Sequence, residues 1–124
     1  MIHLSSMKVD ARGSAEIPVL IPSGRITLGE STRSFQAAIE EAIEGGARHL
    51  IVDGSKIDYL DSTGLGELIT AMRRLMDSGG RVGIAAPTPK LREILEITHL
   101  DGVFLVRESE AAIAAELAEP ETTR

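Results

Sequence analysis

The sequence predicts a single α/β domain built on a mixed, mostly parallel β-sheet with about four helices. Short apolar runs alternate with stretches of helical period, and two of these stretches end at glycine pairs, Gly45–Gly46 and Gly79–Gly80. The chain has 124 residues, 43% of them hydrophobic, which is enough for one domain with its own core. Strands separated by helices pair in parallel through right-handed crossovers, so the predicted order ββαβαβαβα gives a parallel set with one antiparallel N-terminal strand.

The first predicted elements are a β-hairpin and an amphipathic helix. KVDAR and the apolar run PVLIPSGRITL form the hairpin, and Pro22 predicts that the end of the second strand is a sheet edge or a bulge. A helix follows from Glu30 to the Gly45–Gly46 pair. Its predicted core face consists of Phe35, Ala38, Ile39, Ala42 and Ile43.

The remaining elements alternate strand and helix. HLIVDG, RVGIAA and VFLV are predicted strands, SKIDYLD is a predicted loop, and helices are expected over 62–78, 87–97 and about 109–118. The inward face of the helix over 62–78 is predicted to be Leu65, Leu68, Ile69, Met72, Leu75 and Met76. We expect one domain over residues 1–118 and a disordered polar tail over residues 119–124.

The composition excludes several classes of protein. A net charge of −6 without a Lys/Arg cluster argues against nucleic acid as a partner, and aromatic residues make up only 2% of the chain. The absence of cysteine excludes disulfides and thiolate metal sites. His3, His49 and His99 are too scattered for a metal site and are expected at the surface or at an edge. No cofactor or metal is predicted.

The apolar runs are too short for a signal peptide or a membrane span, since IPVLI is broken by Pro18. We therefore expect a cytoplasmic protein that does not insert directly into a membrane.

The stretch DYLDSTGLGELI, residues 58–69, is the candidate functional site. It lies where a strand leads into a helix, which is where open α/β sheets place their sites. A single capping residue suffices for a helix, and glycine inside a helix costs about 1 kcal/mol relative to alanine. This helix start has more polar side chains and more glycine than stability requires: Ser62 and Thr63 lie between carboxylates, and Gly64 and Gly66 follow. The stretch therefore indicates a functional site. A phosphate on Ser62 would be stabilised by unpaired N–H groups at the helix start, and the glycines would leave room for a partner enzyme.

Other interpretations of this stretch are possible. Asp61 or Ser62 could simply cap the helix, and Asp53, Asp58 and Asp61 could bind a divalent cation, although solvated loop carboxylates explain them more simply. A nucleophilic Ser62 would need the pattern G-x-S-x-G and a base, and neither is present. A phosphate-binding loop would need a lysine where Glu67 stands. We therefore expect a protein without catalytic activity.

The segment HLIVDGSKIDYLDSTGLGELITAMRRLMDSGGRVGIAAPTPKLREILEITHLDGVF resembles the STAS domain family, and in particular the small cytoplasmic anti-sigma factor antagonists of bacteria. The resemblance extends from about Gly24 to Leu117 and implies a STAS-like fold. Asp53, Asp61, Gly64 and Leu65 match positions of the family motif. The sequence departs from the family pattern before Gly24 and at Gly54, where the family often has an aliphatic residue.

The resemblance also implies a function. In the family, the serine after the aspartate is phosphorylated by an anti-sigma factor that is itself a serine kinase, and this position is Ser62, with Thr63 as the alternative hydroxyl. The unphosphorylated antagonist captures the anti-sigma factor, and a phosphatase resets the phosphorylated form. The partner is expected to contact the residues around this serine: Asp53, Asp58, Asp61, Thr63, Gly64, Leu65 and Glu67. The alternative is a STAS accessory subunit that docks onto a membrane transport complex.

Overall fold

The computed structural model describes residues 8–118, which form six strands and four helices. The elements in chain order are β1 (Lys8–Gly13), β2 (Pro18–Ile26), α1 (Glu30–Glu44), β3 (Leu50–Asp53), β4 (Ile57–Leu60), α2 (Ser62–Met76), β5 (Val82–Ala85), α3 (Pro89–Ile97), β6 (Leu105–Arg107) and α4 (Glu110–Ala118). The predicted disordered tail over residues 119–124 lies outside the described residues.

The sheet confirms the predicted fold class. Its strand order is β1-β2-β3-β5-β6, with β4 attached to β2. β1 and β2 form the antiparallel hairpin, and every other pairing is parallel. The carboxyl ends of all strands except β1 therefore lie at the same edge of the sheet, where helices α1, α2 and α3 begin.

Alternation along the strands divides the core between the two faces of the sheet. Leu50 and Val52 of β3 belong to the larger apolar cluster, which packs against α1, α2 and α3, whereas Ile51 belongs to a smaller cluster with Ile113 of α4. The helices of the larger cluster contribute Phe35, Ile39, Leu68, Ala71, Leu75, Leu91 and Leu95. Three helices thus cover one face, and α4 lies on the other.

The prediction that SKIDYLD is a loop is wrong, because this segment contains strand β4. The first half of β2 pairs with β3, and its end pairs with β4 through Gly24, Arg25 and Ile26. The register shifts between Gly24 and Arg25, where Gly24 has a φ of 102°, a value that L side chains rarely adopt. This bulge gives Ile57 and Leu60 buried positions while Asp58 stays exposed.

Three smaller expectations also need correction. Of the two alternatives predicted for the end of β2, the sheet edge is wrong, because β2 lies between β1 and β3, whereas a bulge or irregularity is present between Gly24 and Arg25. Met76 ends α2 with 58% of its surface exposed, so it does not belong to the inward face. His49 is buried and accepts a hydrogen bond of 3.1 Å from the backbone N–H of Arg81 at Nδ1, so it is not a surface residue.

Candidate partner-binding and phosphorylation site

The candidate site forms where β2 and β4 end side by side. Ile26 and Leu60 are register partners, and the N–H of Asp61 donates to the carbonyl of Ile26 at 3.1 Å. Beyond these residues the chain enters α1 from one strand and α2 from the other. The β2–α1 loop (residues 27–29) therefore lies directly beside the start of α2.

Asp61 caps α2 and connects it to this loop. Its Oδ1 accepts the N–H groups of Thr63 at 2.9 Å and Gly64 at 3.1 Å, together with the Thr63 hydroxyl at 2.6 Å. Its Oδ2 accepts the N–H of Leu28 at 2.9 Å. These donors, led by the Thr63 hydroxyl, lower the pKa of Asp61 from 3.8 to about 2. The carboxylate is therefore ionised at every physiological pH.

The two candidate hydroxyls differ in their surroundings. Ser62 is exposed, and its hydroxyl makes no hydrogen bond to any residue between 8 and 118. Thr63 is half-buried, donates to Asp61 and lies 3.1 Å from the hydroxyl of Thr32 in α1. Thr63 thus has a structural role at the contact between α1 and α2, whereas Ser62 is accessible to another protein.

One part of the expected phosphate chemistry needs correction. Two N–H groups that could have held a phosphate at the start of α2, those of Thr63 and Gly64, already donate to Asp61. A phosphate on Ser62 would keep the favourable helix dipole but would stand beside an ionised carboxylate. Repulsion from Asp61 would favour a phosphate that points away from the protein.

The two glycines of the motif have different roles. Gly64 is buried, and a Cβ atom there would lie 2.8 Å from Ile26 Cγ2 and 2.8 Å from Leu60 Cδ1. The expectation that Gly64 leaves room for a partner is therefore wrong, since glycine at this position lets α2 pack closely on the ends of β2 and β4. A Cβ atom at Gly66 would meet nothing within 4 Å. Gly66 therefore leaves open space on the surface.

The other predicted residues of this region surround Ser62 to different degrees. Asp58 is exposed on β4, where it lines a cleft together with Arg25 and Leu28. Leu65 is half-buried and packs against the larger core cluster. Burial raises the pKa of the half-buried Glu67, and the nearby carboxylate of Glu40 adds to this effect.

Asp53 has different neighbours. Its Oδ1 accepts from the backbone N–H of Ser55 at 2.9 Å and from the Ser55 hydroxyl at 2.7 Å. Burial acts to raise the pKa of the Asp53 carboxyl, but the two Ser55 donors and the positive charge of Arg12 outweigh it and lower the pKa. The side chain of Glu110 in α4 lies beside the carboxyl. Asp53 therefore shapes the turn after β3 on the α4 side of the sheet. Within residues 8–118, no group of three His, Asp or Glu side chains is arranged to hold a metal ion.

Sequence reasoning overlooked Leu28, because the apolar run PVLIPSGRITL suggested a strand that continues to this residue. β2 ends at Ile26, and Leu28 stands in the loop with 79% of its surface exposed. A leucine that follows a strand end and precedes Gly29 was the available signal.

Comparison with known proteins identifies the family. The sequence model that represents the STAS domain family matches residues 8–113, which is most of the chain. The chain belongs to the STAS domain family. Among curated STAS relatives, a Bordetella bronchiseptica protein with the provisional name anti-sigma factor antagonist BtrV is 26% identical over 85 residues, which cover 68% of this chain and 73% of the relative.

Solved structures of anti-sigma factor antagonists share the fold. An anti-sigma factor antagonist from Mycobacterium paratuberculosis has a TM-score of 0.80 at 22% identity, with 96% of this chain and 100% of the other covered. The anti-sigma factor antagonist SpoIIAA in its unphosphorylated form has a TM-score of 0.75 at 20% identity, with 94% and 100% covered. The phosphorylated form of this Bacillus cell fate determinant has a TM-score of 0.68, also at 20% identity, with 90% and 98% covered.

None of the helices within residues 8–118 has the length and apolar character that crossing a bilayer would require.

Proposed function

We propose that this STAS protein is an anti-sigma factor antagonist whose binding to an anti-sigma factor serine kinase is switched off by phosphorylation of Ser62. The unphosphorylated protein binds the kinase and so releases the sigma factor, and a phosphatase restores this state. The single observation that supports the proposal best is the exposed Ser62 hydroxyl, which no described residue engages, on a firmly capped helix start. An accessory subunit that docks without being switched would not need such a hydroxyl.

The proposed reaction takes place in the active site of the kinase. Oγ of Ser62 attacks the γ-phosphorus of ATP, the bond to ADP breaks, and the hydroxyl proton passes to a base of the kinase. This protein contributes an accessible nucleophile on a helix that is held in place by the Asp61 cap. No catalytic group of its own is required, and the purified protein with ATP and magnesium should not label itself.

Charge explains why the phosphorylated form would release its partner. A phosphoserine carries about −1.5 to −2 charges at neutral pH. Ser62 already stands next to Asp61, and the exposed Asp58 lies on the adjoining strand. A partner that fits this acidic surface closely would have to desolvate the added phosphate, and the resulting penalty can amount to several kcal/mol.

The proposed docking surface is smaller than the set of residues predicted from sequence. Ser62 and Asp58 are exposed and Glu67 and Gly66 are half-buried, so these four can face a partner. Leu65 is half-buried and packs against the core. Gly64 supports the surface from inside, and Thr63 and Asp61 hold its shape. Asp53 belongs to the turn after β3, and we do not include it.

Binding measurements on charge variants test the proposal. The probes are the purified serine kinases of the anti-sigma factor class from the same genome, each titrated separately by calorimetry. With ADP in place of ATP, Ser62→Ala should bind the cognate kinase as tightly as the wild type, whereas Ser62→Asp should bind more weakly. With ATP and magnesium, the wild type should be phosphorylated and lose binding, whereas Ser62→Ala should keep it. Thr70→Asp is the matched control, because Thr70 is exposed on the same helix but two turns further along. Equal weakening by Ser62→Asp and Thr70→Asp would refute a local switch, and binding of no kinase would refute the function.

A further inference from the structure

The β2–α1 loop presents an apolar side chain beside Ser62. Leu28 has 79% of its surface exposed, the largest fraction among the exposed large hydrophobic residues within 8–118. We infer that Leu28 is the apolar anchor by which this surface engages the kinase, an inference that rests on the proposed function. The partner should offer an apolar pocket with basic groups at its rim.

The exposure of Leu28 is not the result of a loose loop. The N–H of Thr27 donates to the Ser31 hydroxyl at 2.8 Å, and that hydroxyl donates to the Thr27 carbonyl at 3.0 Å. The N–H of Leu28 itself is bound by Asp61 at 2.9 Å. The loop is therefore fixed at consecutive residues, so binding would order little additional backbone. Preorganisation of this kind favours affinity, because the entropic cost has been met on folding.

Leu28 is connected directly to the proposed phosphorylation site. Asp61 precedes Ser62 in the chain and holds the Leu28 N–H with the same carboxylate that caps α2. A partner that covers the Ser62 hydroxyl must approach the start of α2, which this bond places next to the loop. Leu28 and Ser62 therefore belong to one continuous surface.

The surroundings of Leu28 indicate the chemistry of the partner. The open cleft beside it has a volume of about 530 Å³ and is lined in part by Arg25, Glu30, Ser31 and Asp58. The guanidinium of Arg25 lies 4.7 Å from the ring centre of Tyr59 and stacks on it. Together with Asp61, three carboxylates and one guanidinium surround the leucine. A pocket for Leu28 with a basic rim would complement this surface.

The other exposed large hydrophobic residues of the described chain provide controls. Met76 and Ile97 end helices α2 and α3, which begin at the Ser62 edge of the sheet and run away from it. Ile97 is 68% exposed, close to the value for Leu28. The variant Ile97→Ala thus removes a similar apolar side chain at the opposite end of the domain.

The experiment compares Leu28→Ala with Ile97→Ala, with the kinases used above as probes. Leu28→Ala should weaken binding of the cognate kinase about 10- to 30-fold, because the apolar surface of the leucine is no longer buried on association. Ile97→Ala should change the dissociation constant by less than about twofold. Both variants should keep the wild-type thermal midpoint, since both side chains are exposed.

The possible outcomes separate this inference from the proposed function. If wild-type protein binds a kinase and Leu28→Ala binds it within about twofold, the Leu28 anchor is refuted and the function stands. The same holds if both variants weaken binding equally, because the effect would then not be specific to this loop. If the wild type binds no kinase, the proposed function fails and the inference fails with it.

Discussion

The backbone N–H of Leu28 donates a 2.9 Å hydrogen bond to the side chain of Asp61. The other carboxylate oxygen accepts the N–H groups of Thr63 and Gly64, so one side chain links the β2–α1 loop to the start of α2. The shape of the surface around Ser62 therefore depends on a residue that no partner needs to touch.

The first prediction concerns this carboxylate. Asp61→Ala should lower the thermal midpoint and accelerate amide hydrogen exchange at Leu28 and Gly64, because both N–H groups lose their acceptor. Asp61→Asn keeps one oxygen acceptor and should have a smaller effect. Exchange at Leu28 that stays at the wild-type rate in Asp61→Ala would show that the loop is held by other contacts.

The second prediction separates the two glycines. Gly64→Ala should destabilise the fold by about 1 to 3 kcal/mol, because its Cβ would meet Ile26 and Leu60 at 2.8 Å. Gly66→Ala should stabilise it by about 0.5 to 1 kcal/mol, since the site is open and alanine is the better helix former. Urea unfolding of both variants measures the difference. Effects of the same sign would contradict the assigned roles.

The third prediction tests the inward face of α2. Leu68 is 1% exposed and belongs to the core cluster, so Leu68→Ala should cost about 2 to 5 kcal/mol of unfolding free energy. Met76→Ala, at the exposed end of the same helix, should cost less than about 0.5 kcal/mol. Similar losses in the two variants would mean that the face is assigned incorrectly.

Sequence reasoning succeeded for those elements whose pattern lies within one short stretch of the chain. The helical period of α1 and α2, the glycine pairs after them and the antiparallel hairpin are local patterns, and these elements were predicted. β4 was not, because it is held by pairing with the end of β2, with a register shift between Gly24 and Arg25, and the two segments are more than 30 residues apart in the chain. Sequence patterns do not report such non-local contacts.

The candidate site was predicted at the level of the segment and only partly at the level of residues. Ser62 was correctly expected at a helix start. The role of Gly64 could not be predicted from the sequence, because it depends on how closely α2 packs against β2 and β4. The role of Asp53 could not be predicted either, because it depends on which side of the sheet the turn after β3 lies. Leu28 was assigned to a strand because the sequence did not reveal that β2 ends at Ile26, two residues earlier.

The fourth prediction is a pH dependence that originates at His49. Its Nδ1 accepts the N–H of Arg81, which requires the neutral ring, and burial followed by the charges of Arg48 and Arg81 lowers its pKa from 6.5. Glu16 opposes this shift. A lowered folded-state pKa contributes stability above the unfolded-state value, and this contribution is lost as the pH falls through the folded-state pKa.

The thermal midpoint should therefore fall between about pH 7 and about pH 5, and the fall should be smaller in His49→Gln. His99→Gln is the control, because His99 is exposed after α3. If the pH profile of His49→Gln matches that of the wild type, another group causes the decline.

The fifth prediction is that Ser62, and not Thr63, receives the phosphate. The most direct measurement is mass spectrometry of the wild type, Ser62→Ala and Thr63→Ala after incubation with the cognate kinase, ATP and magnesium. We expect one phosphate on Ser62 in the wild type and in Thr63→Ala, provided that this variant remains folded, and none in Ser62→Ala. Wild-type labelling of Ser62→Ala together with loss of labelling in folded Thr63→Ala would contradict the account.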